Sequence, residues 1–161
     1  MTEEDLRKQA WDYFQMHATQ RLTTFNFYVG ISSLLVGGLA ATIRADSEIP
    51  LLGGVVGMLL ILFSLVFWKL DQRNSDLIKG AERALMYFEA KCALPDQEGK
   101  PHEAKRFTRE DFDTAQRKQE RTWRVWRNHY SYSECFRAVF LIFGGLGAVG
   151  LCYAAIRHWP W

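Results

Sequence analysis

Three runs of the chain, residues 22–43, 49–68 and 138–156, contain no Asp, Glu, Lys or Arg. An α-helix rises 1.5 Å per residue, so about 20 residues span the roughly 30 Å hydrocarbon core of a bilayer. A chain of 161 residues has too little else to bury three such helices in water. The net charge of +2 and mean hydropathy of −0.16 resemble a soluble domain only because the charged residues, 24% of the total, are confined to the other segments. The pattern predicts an all-α membrane protein with three transmembrane helices. It excludes a soluble enzyme, a secreted disulfide domain and a disordered tail. The first residues include Glu3, Glu4, Asp5 and Asp12 where a signal peptide needs a basic start, so the first span is expected to remain in the mature protein. Cys92, Cys135 and Cys152 are odd in number and share no metal or redox spacing, so no structural disulfide is expected.

Basic residues set the orientation. Arg7, Lys8 and Arg21 precede the first span, and the segment from Lys69 to Arg137 holds most of the rest. The connection between the first two spans has Arg44, offset by Asp46 and Glu48, and the tail has Arg157. Cytoplasmic segments retain Lys and Arg, which puts the N-terminus and residues 69–137 in the cytosol and the C-terminus outside. Trp68, Trp159 and Trp161 fall at the predicted interfaces, where an indole is favoured.

The expected organisation is therefore a cytosolic amphipathic helix (1–21), a transmembrane hairpin (22–68), a cytosolic helical region (69–135), a third transmembrane helix (136–157) and a short extracytoplasmic tail (158–161). Leu6, Ala10, Tyr13, Phe14 and His17 share one side of the first helix. Beyond Trp68 the helical pattern continues to about Leu94, with Leu70, Leu77, Ala84 and Asn74, Ala81, Phe88 at heptad-like positions beside Ile78 and Leu85. Pro95 and Pro101 bracket a polar loop. Thr108 and Asp111 match a capping box that would start a second cytosolic helix, 108–135, feeding the third span. A cytosolic stretch of only about 70 residues makes a poor core by itself. A symmetric homo-oligomer, tetramer or larger, is expected.

Two constellations are candidates for function. In span one, Asn26, Gly30, Ser33, Gly37 and Ala41 form a stripe of small and polar residues, and span two adds Gly53 and Gly57. Small residues at such spacings let helix backbones approach closely in lipid, so the stripe either packs helices or lines a narrow pore. The absence of ionisable residues from the spans argues against a proton-coupled transporter. In helix 108–135, Arg117, Arg121, Arg124 and Asn128 share a stripe flanked by Arg109, Arg127 and Lys118, opposite Phe112, Ala115, Gln119, Trp123, Trp126 and Tyr130. A row of guanidiniums is either a phosphate-binding site or a solvated face beside lipid headgroups. His17 reads as a packed histidine, and His102 with Glu98 and Glu103 lacks a metal spacing. Ser131, Ser133 and Cys135 have no identifiable base. Neither an enzyme nor a cofactor is expected.

Phe25-Asn26-Phe27-Tyr28, Trp68 to Asn74, Leu77-Ile78-Lys79, Glu82 and Ala84-Leu85 resemble small bacterial membrane effectors of nucleotide-signalling anti-phage systems. The two-span hairpin with cytosolic helices is similar to the SLATT class and to the RipA-like octameric membrane proteins. The three-span plan with a basic cytosolic helix is similar to the transmembrane effector of Hailong systems. The resemblance covers roughly residues 11–90. It implies a homo-oligomer in the bacterial inner membrane that permeabilises or depolarises it when a cytosolic nucleotide or oligonucleotide arrives, or a short single-stranded nucleic acid, the signal being made by an enzyme encoded nearby. The alternative is a non-conducting membrane scaffold that recruits or restrains a cytosolic partner; a third possibility is a structural protein anchored to anionic lipid through the same arginines.

Overall fold

The structure, a computed structural model, describes residues 1–44, 50–96, 99–119 and 132–158, apart from the side chains of Arg44, Pro50, Arg117, Lys118 and His158. Among the described residues the chain forms four α-helices and no sheet: α1 (Glu3–Arg44), α2 (Pro50–Lys91), α3 (Arg106–Gln119) and α4 (Tyr132–His158). α1, α2 and α4 are each long and apolar enough to cross a membrane. The 42 residues of α1 and of α2 make helices about 63 Å long, roughly twice the thickness of the hydrocarbon core.

The helix starts follow local chemistry. Thr2 and Asp5 form a reciprocal capping box on α1: the Thr2 N–H donates to Asp5 Oδ2 at 2.7 Å and the Asp5 N–H to Thr2 Oγ1 at 3.2 Å. Pro50 opens α2 at the one helical position where its missing N–H costs nothing. Gly99, at φ 73°, takes the left-handed turn in the loop after α2.

α3 starts differently from the capping box at Thr108 and Asp111. It begins at Arg106, with the Arg109 N–H bonded to the Lys105 carbonyl. A lysine at the capping position has no acceptor to offer. Glu89 of α2 supplies one: Oε1 accepts from the Phe107 N–H at 3.1 Å, and Oε2 from the Thr108 N–H at 2.9 Å and hydroxyl at 2.8 Å. The Thr108 hydroxyl is thus a donor to another helix. The continuation of this helix through 120–131 lies outside the described residues.

The chain divides into two compact units, and α1 and α2 contribute to both. The membrane unit comprises residues 20–73 and 132–161. Its core is aromatic: Tyr28 of α1 and Phe136 and Phe140 of α4 are buried, with Phe25, Val29, Phe67, Trp68, Val139 and Phe143 packed around them. Phe25 and Phe136 stack with centroids 3.8 Å apart. The Tyr28 hydroxyl lies 2.8 Å from Ser64 Oγ, whose own proton goes to the Leu60 carbonyl, so Tyr28 donates. α2 and α4 cross closely at glycines: a Cβ on Gly57 would meet the Gly147 carbonyl oxygen at 2.7 Å, and one on Gly147 would meet that of Gly57 at 2.7 Å. Lipid supplies little hydrophobic drive between helices, so this approach is held by close packing and hydrogen bonds.

The polar unit comprises residues 1–19 and 74–131. In α2 the buried residues are Ile78, Ala81 and Leu85. They continue the heptad spacing from Asp71, not from Leu70, which is 43% exposed. Of the expected rows Ala81 is buried, while Leu77 and Ala84 are only partly so, and their neighbours Ile78 and Leu85 are buried beside them; Asp71, next to Leu70, is also buried, where it meets Arg21.

Candidate functional site

Span one separates two faces. Tyr28, Ser32 and Leu39 are buried within the subunit. At 100° per residue they fall within an arc of about 40°. Asn26, Gly30, Ser33, Gly37 and Ala41 are all exposed, and their stripe is centred about 160° from the buried one. A Cβ on Gly30 or Gly37 would meet nothing within 4 Å. Ser33 returns its proton to the Val29 carbonyl at 2.8 Å, which keeps a hydroxyl compatible with an apolar neighbour. The subunit thus leaves a face of small and polar residues uncovered. Gly57 belongs elsewhere, to the α2–α4 crossing within the subunit.

A buried ion pair fastens the same three helices. Arg21 Nε lies 2.6 Å from Asp71 Oδ1 and Nη2 3.1 Å from Oδ2, a bidentate pair between α1 and α2. Nη2 also donates to Ser133 Oγ on α4 at 3.0 Å, and the guanidinium sits 5.0 Å from the centroid of the Phe136 ring. The side chains are only 12% and 8% exposed. Arginine suits this place because its planar fork serves two carboxylate oxygens and a third acceptor at once. The sequence offered one signal for the pair: each charge lies close to the end of a span, Arg21 directly before the first and Asp71 three positions after the second.

In the polar unit, Tyr13 and His17 are in edge contact at 4.3 Å, and Phe107 meets Phe14 at 5.3 Å and Trp11 at 6.3 Å. His102 accepts the Ala104 N–H through Nδ1, a turn contact. Glu3 and Lys91 pair at 2.8 Å, joining the first turn of α1 to the last of α2. Hydrogen bonding to Glu3 and then to Tyr87 raises the Lys91 pKa, and hydrogen bonds from the Thr2 backbone and side chain lower that of Asp5. Arg121, Arg124, Arg127 and Asn128 lie outside the described residues, as do Trp123, Trp126, Tyr130 and the side chain of Arg117. Cys92, Cys135 and Cys152 are free and exposed. Among the described residues, no three His, Cys, Asp or Glu side chains converge as for a metal ion.

CD-NTase-associated protein 19 of Escherichia coli is 46% identical to the chain over 79 residues, 49% of this chain and 52% of that protein. The chain thus spans about half the length of this curated relative. No solved structure matches. The sequence profile of the octameric membrane protein family matches residues 4–156, from the first turn of α1 almost to the end of α4. Three apolar helices make the protein a multi-pass membrane protein, and with nearly all of the helical framework inside the match the chain belongs to the octameric membrane protein family.

Proposed function

We propose that the protein is a non-enzymatic effector of anti-phage defence that assembles as a homo-oligomer and permeabilises or depolarises the bacterial inner membrane when a cytosolic nucleotide or oligonucleotide binds. The observation that carries this reading is the open stripe of Asn26, Gly30, Ser33, Gly37 and Ala41, turned away from the buried face of α1 in a member of an octameric family. Repeated around an axis, such a stripe supplies either the contact between neighbouring subunits or the wall of a pore. The relative's association with a CD-NTase supports a signal made by a nucleotidyltransferase encoded nearby. The N-terminus and residues 69–137 face the cytosol and the C-terminus lies outside, following the Lys and Arg asymmetry. Arg117, Arg121, Arg124, Arg127 and Asn128 are the proposed phosphate contacts, their affinity falling as salt rises.

Triggering the system in cells while recording membrane potential tests the reading. Wild type depolarises; Arg117→Glu/Arg121→Glu/Arg124→Glu inserts and assembles but stays silent. A wild-type protein that binds a cytosolic partner yet never depolarises the membrane is a scaffold. A cytosol-only reporter works when fused within 95–107 and fails after Trp161; the reverse pattern inverts the assignment of faces.

A further inference from the structure

The polar unit contains a cleft of about 510 Å³ between the first turns of α1, the last turns of α2 and the start of α3. Small-molecule sites occupy about 300–1,000 Å³, so the space matches a ligand of nucleotide size. Arg7 and Lys8 line it from α1. Both are exposed, and neither has an ion-pair partner among the described residues. One turn further, on the same side of α1, Trp11 joins the lining with its side chain 47% exposed, braced edgewise by Phe107. Phe88 contributes a second aromatic ring from α2.

The acidic residues of the lining do not cancel this character. Both oxygens of Glu89 are committed to the first turn of α3, receiving two backbone N–H groups and the Thr108 hydroxyl. Its charge is spent on the helix terminus. The remaining carboxylate, Glu4, is exposed and shares the lining with two cations. An aromatic shelf one turn from a pair of cations suits a flat base that carries phosphate. A bare phosphate would make no use of the indole, and a lipid chain none of the cations. Glu4 is suited to accept hydrogen bonds from sugar hydroxyls or an exocyclic amine.

We propose that this cleft binds a purine nucleotide, alone or as one unit of an oligonucleotide, its base against Trp11 and its phosphate on Arg7 and Lys8. The proposal rests on the reading that a nucleotide signal controls the protein, and it places a receptor on residues of α1 and α2. α1 runs unbroken from these residues to the open stripe of span one, so ordering its first turns acts on the same helix.

Cys92 lines the cleft and is a free, exposed thiol; Cys135 is an equally free, exposed thiol in the membrane unit. The test is the rate of maleimide alkylation at the two positions in the full-length oligomer in mild detergent. The probes are ATP, cyclic di-AMP and a linear triadenylate. At least one probe slows alkylation of Cys92 severalfold and leaves Cys135 unchanged. Arg7→Glu/Lys8→Glu abolishes the protection, and Trp11→Leu weakens binding about tenfold or more. Arg83→Glu, an exposed charge outside the lining, leaves it intact. Protection by none of the probes overturns the proposal, as does protection that survives Arg7→Glu/Lys8→Glu. If triggered cells depolarise and the Arg7→Glu/Lys8→Glu variant responds normally, the cleft is overturned while the effector reading stands. Protection of Cys92 in a protein that never depolarises cells upholds the cleft and removes the effector reading.

Discussion

Removing Arg21 should destabilise the membrane unit more than any exposed charge change. The guanidinium makes two contacts to Asp71, of 2.6 and 3.1 Å, and one to Ser133 of 3.0 Å, with the pair only 12% and 8% exposed. Arg21→Ala leaves the Asp71 carboxylate buried without its cation, a change that costs about 3–5 kcal/mol. At about 2–4 °C per kcal/mol for a chain of this size, the midpoint should fall by roughly 6–20 °C. Replacing both charges with apolar residues, Arg21→Met with Asp71→Leu, removes the unpaired charge and should return most of that loss, since such exchanges are often neutral. Ser133→Ala takes away one hydrogen bond and should cost about 1–2 kcal/mol. The assay is the fraction of detergent-solubilised oligomer surviving a temperature series, read by size-exclusion chromatography with tryptophan fluorescence. Single variants that lose less than about 2 °C, or a double variant no better than the worse single, would show that the pair is not the fastening described.

Gly37→Leu should preserve the subunit fold and disrupt assembly, because its Cβ faces open space, whereas Gly57→Leu should prevent folding, because its Cβ meets the Gly147 carbonyl oxygen at 2.7 Å; circular dichroism with native mass spectrometry separates the two. Glu89→Ala should cost about 0.5–2 kcal/mol by uncapping α3, seen as faster amide exchange at Phe107 and Thr108, whose N–H groups it accepts. The lowered Asp5 pKa means that its cap stabilises α1 above the ordinary Asp range and is lost as pH falls through the lowered value; exchange at the first turn should accelerate in that acid window, and Asp5→Asn should remove the step. Lys91 has the opposite sign: its raised pKa gives a contribution present below the ordinary Lys range and lost as pH rises through the folded value, a step that Glu3→Gln should shrink while the Tyr87 contact remains.

The three spans were legible because a bilayer imposes a local compositional rule, readable from each run by itself. Partner choice was not. Thr2-Glu3-Glu4-Asp5 and Thr108-Arg109-Glu110-Asp111 carry the same spacing of threonine and aspartate. The first is a capping box, and the second is displaced because Glu89, 19 residues away, reaches the Thr108 N–H and hydroxyl. Likewise nothing near Asp71 in the sequence marks it for burial; its partner Arg21 lies 50 positions earlier. The aromatic core was equally hidden: Phe25 and Tyr28 could have faced lipid, and only their meeting with Phe136 and Phe140 makes them interior.

The small residues show most clearly what helical spacing alone leaves undecided. Gly57 and the span-one stripe obey the same close-packing chemistry, yet Gly57 is consumed within the subunit at Gly147 while Gly30 and Gly37 meet nothing. Tyr28, Ser32 and Leu39 satisfy the inward face of α1, so the subunit gains nothing from small residues on the opposite side. Lipid gains nothing either, since Leu or Ile would serve a lipid-facing position. A face of Asn26, Gly30, Ser33, Gly37 and Ala41 therefore answers to something beyond the single chain. In a family named for octameric assembly, the proposed role of that face is to meet a neighbouring copy, with backbones brought close where side chains are small, or to line the pore between copies.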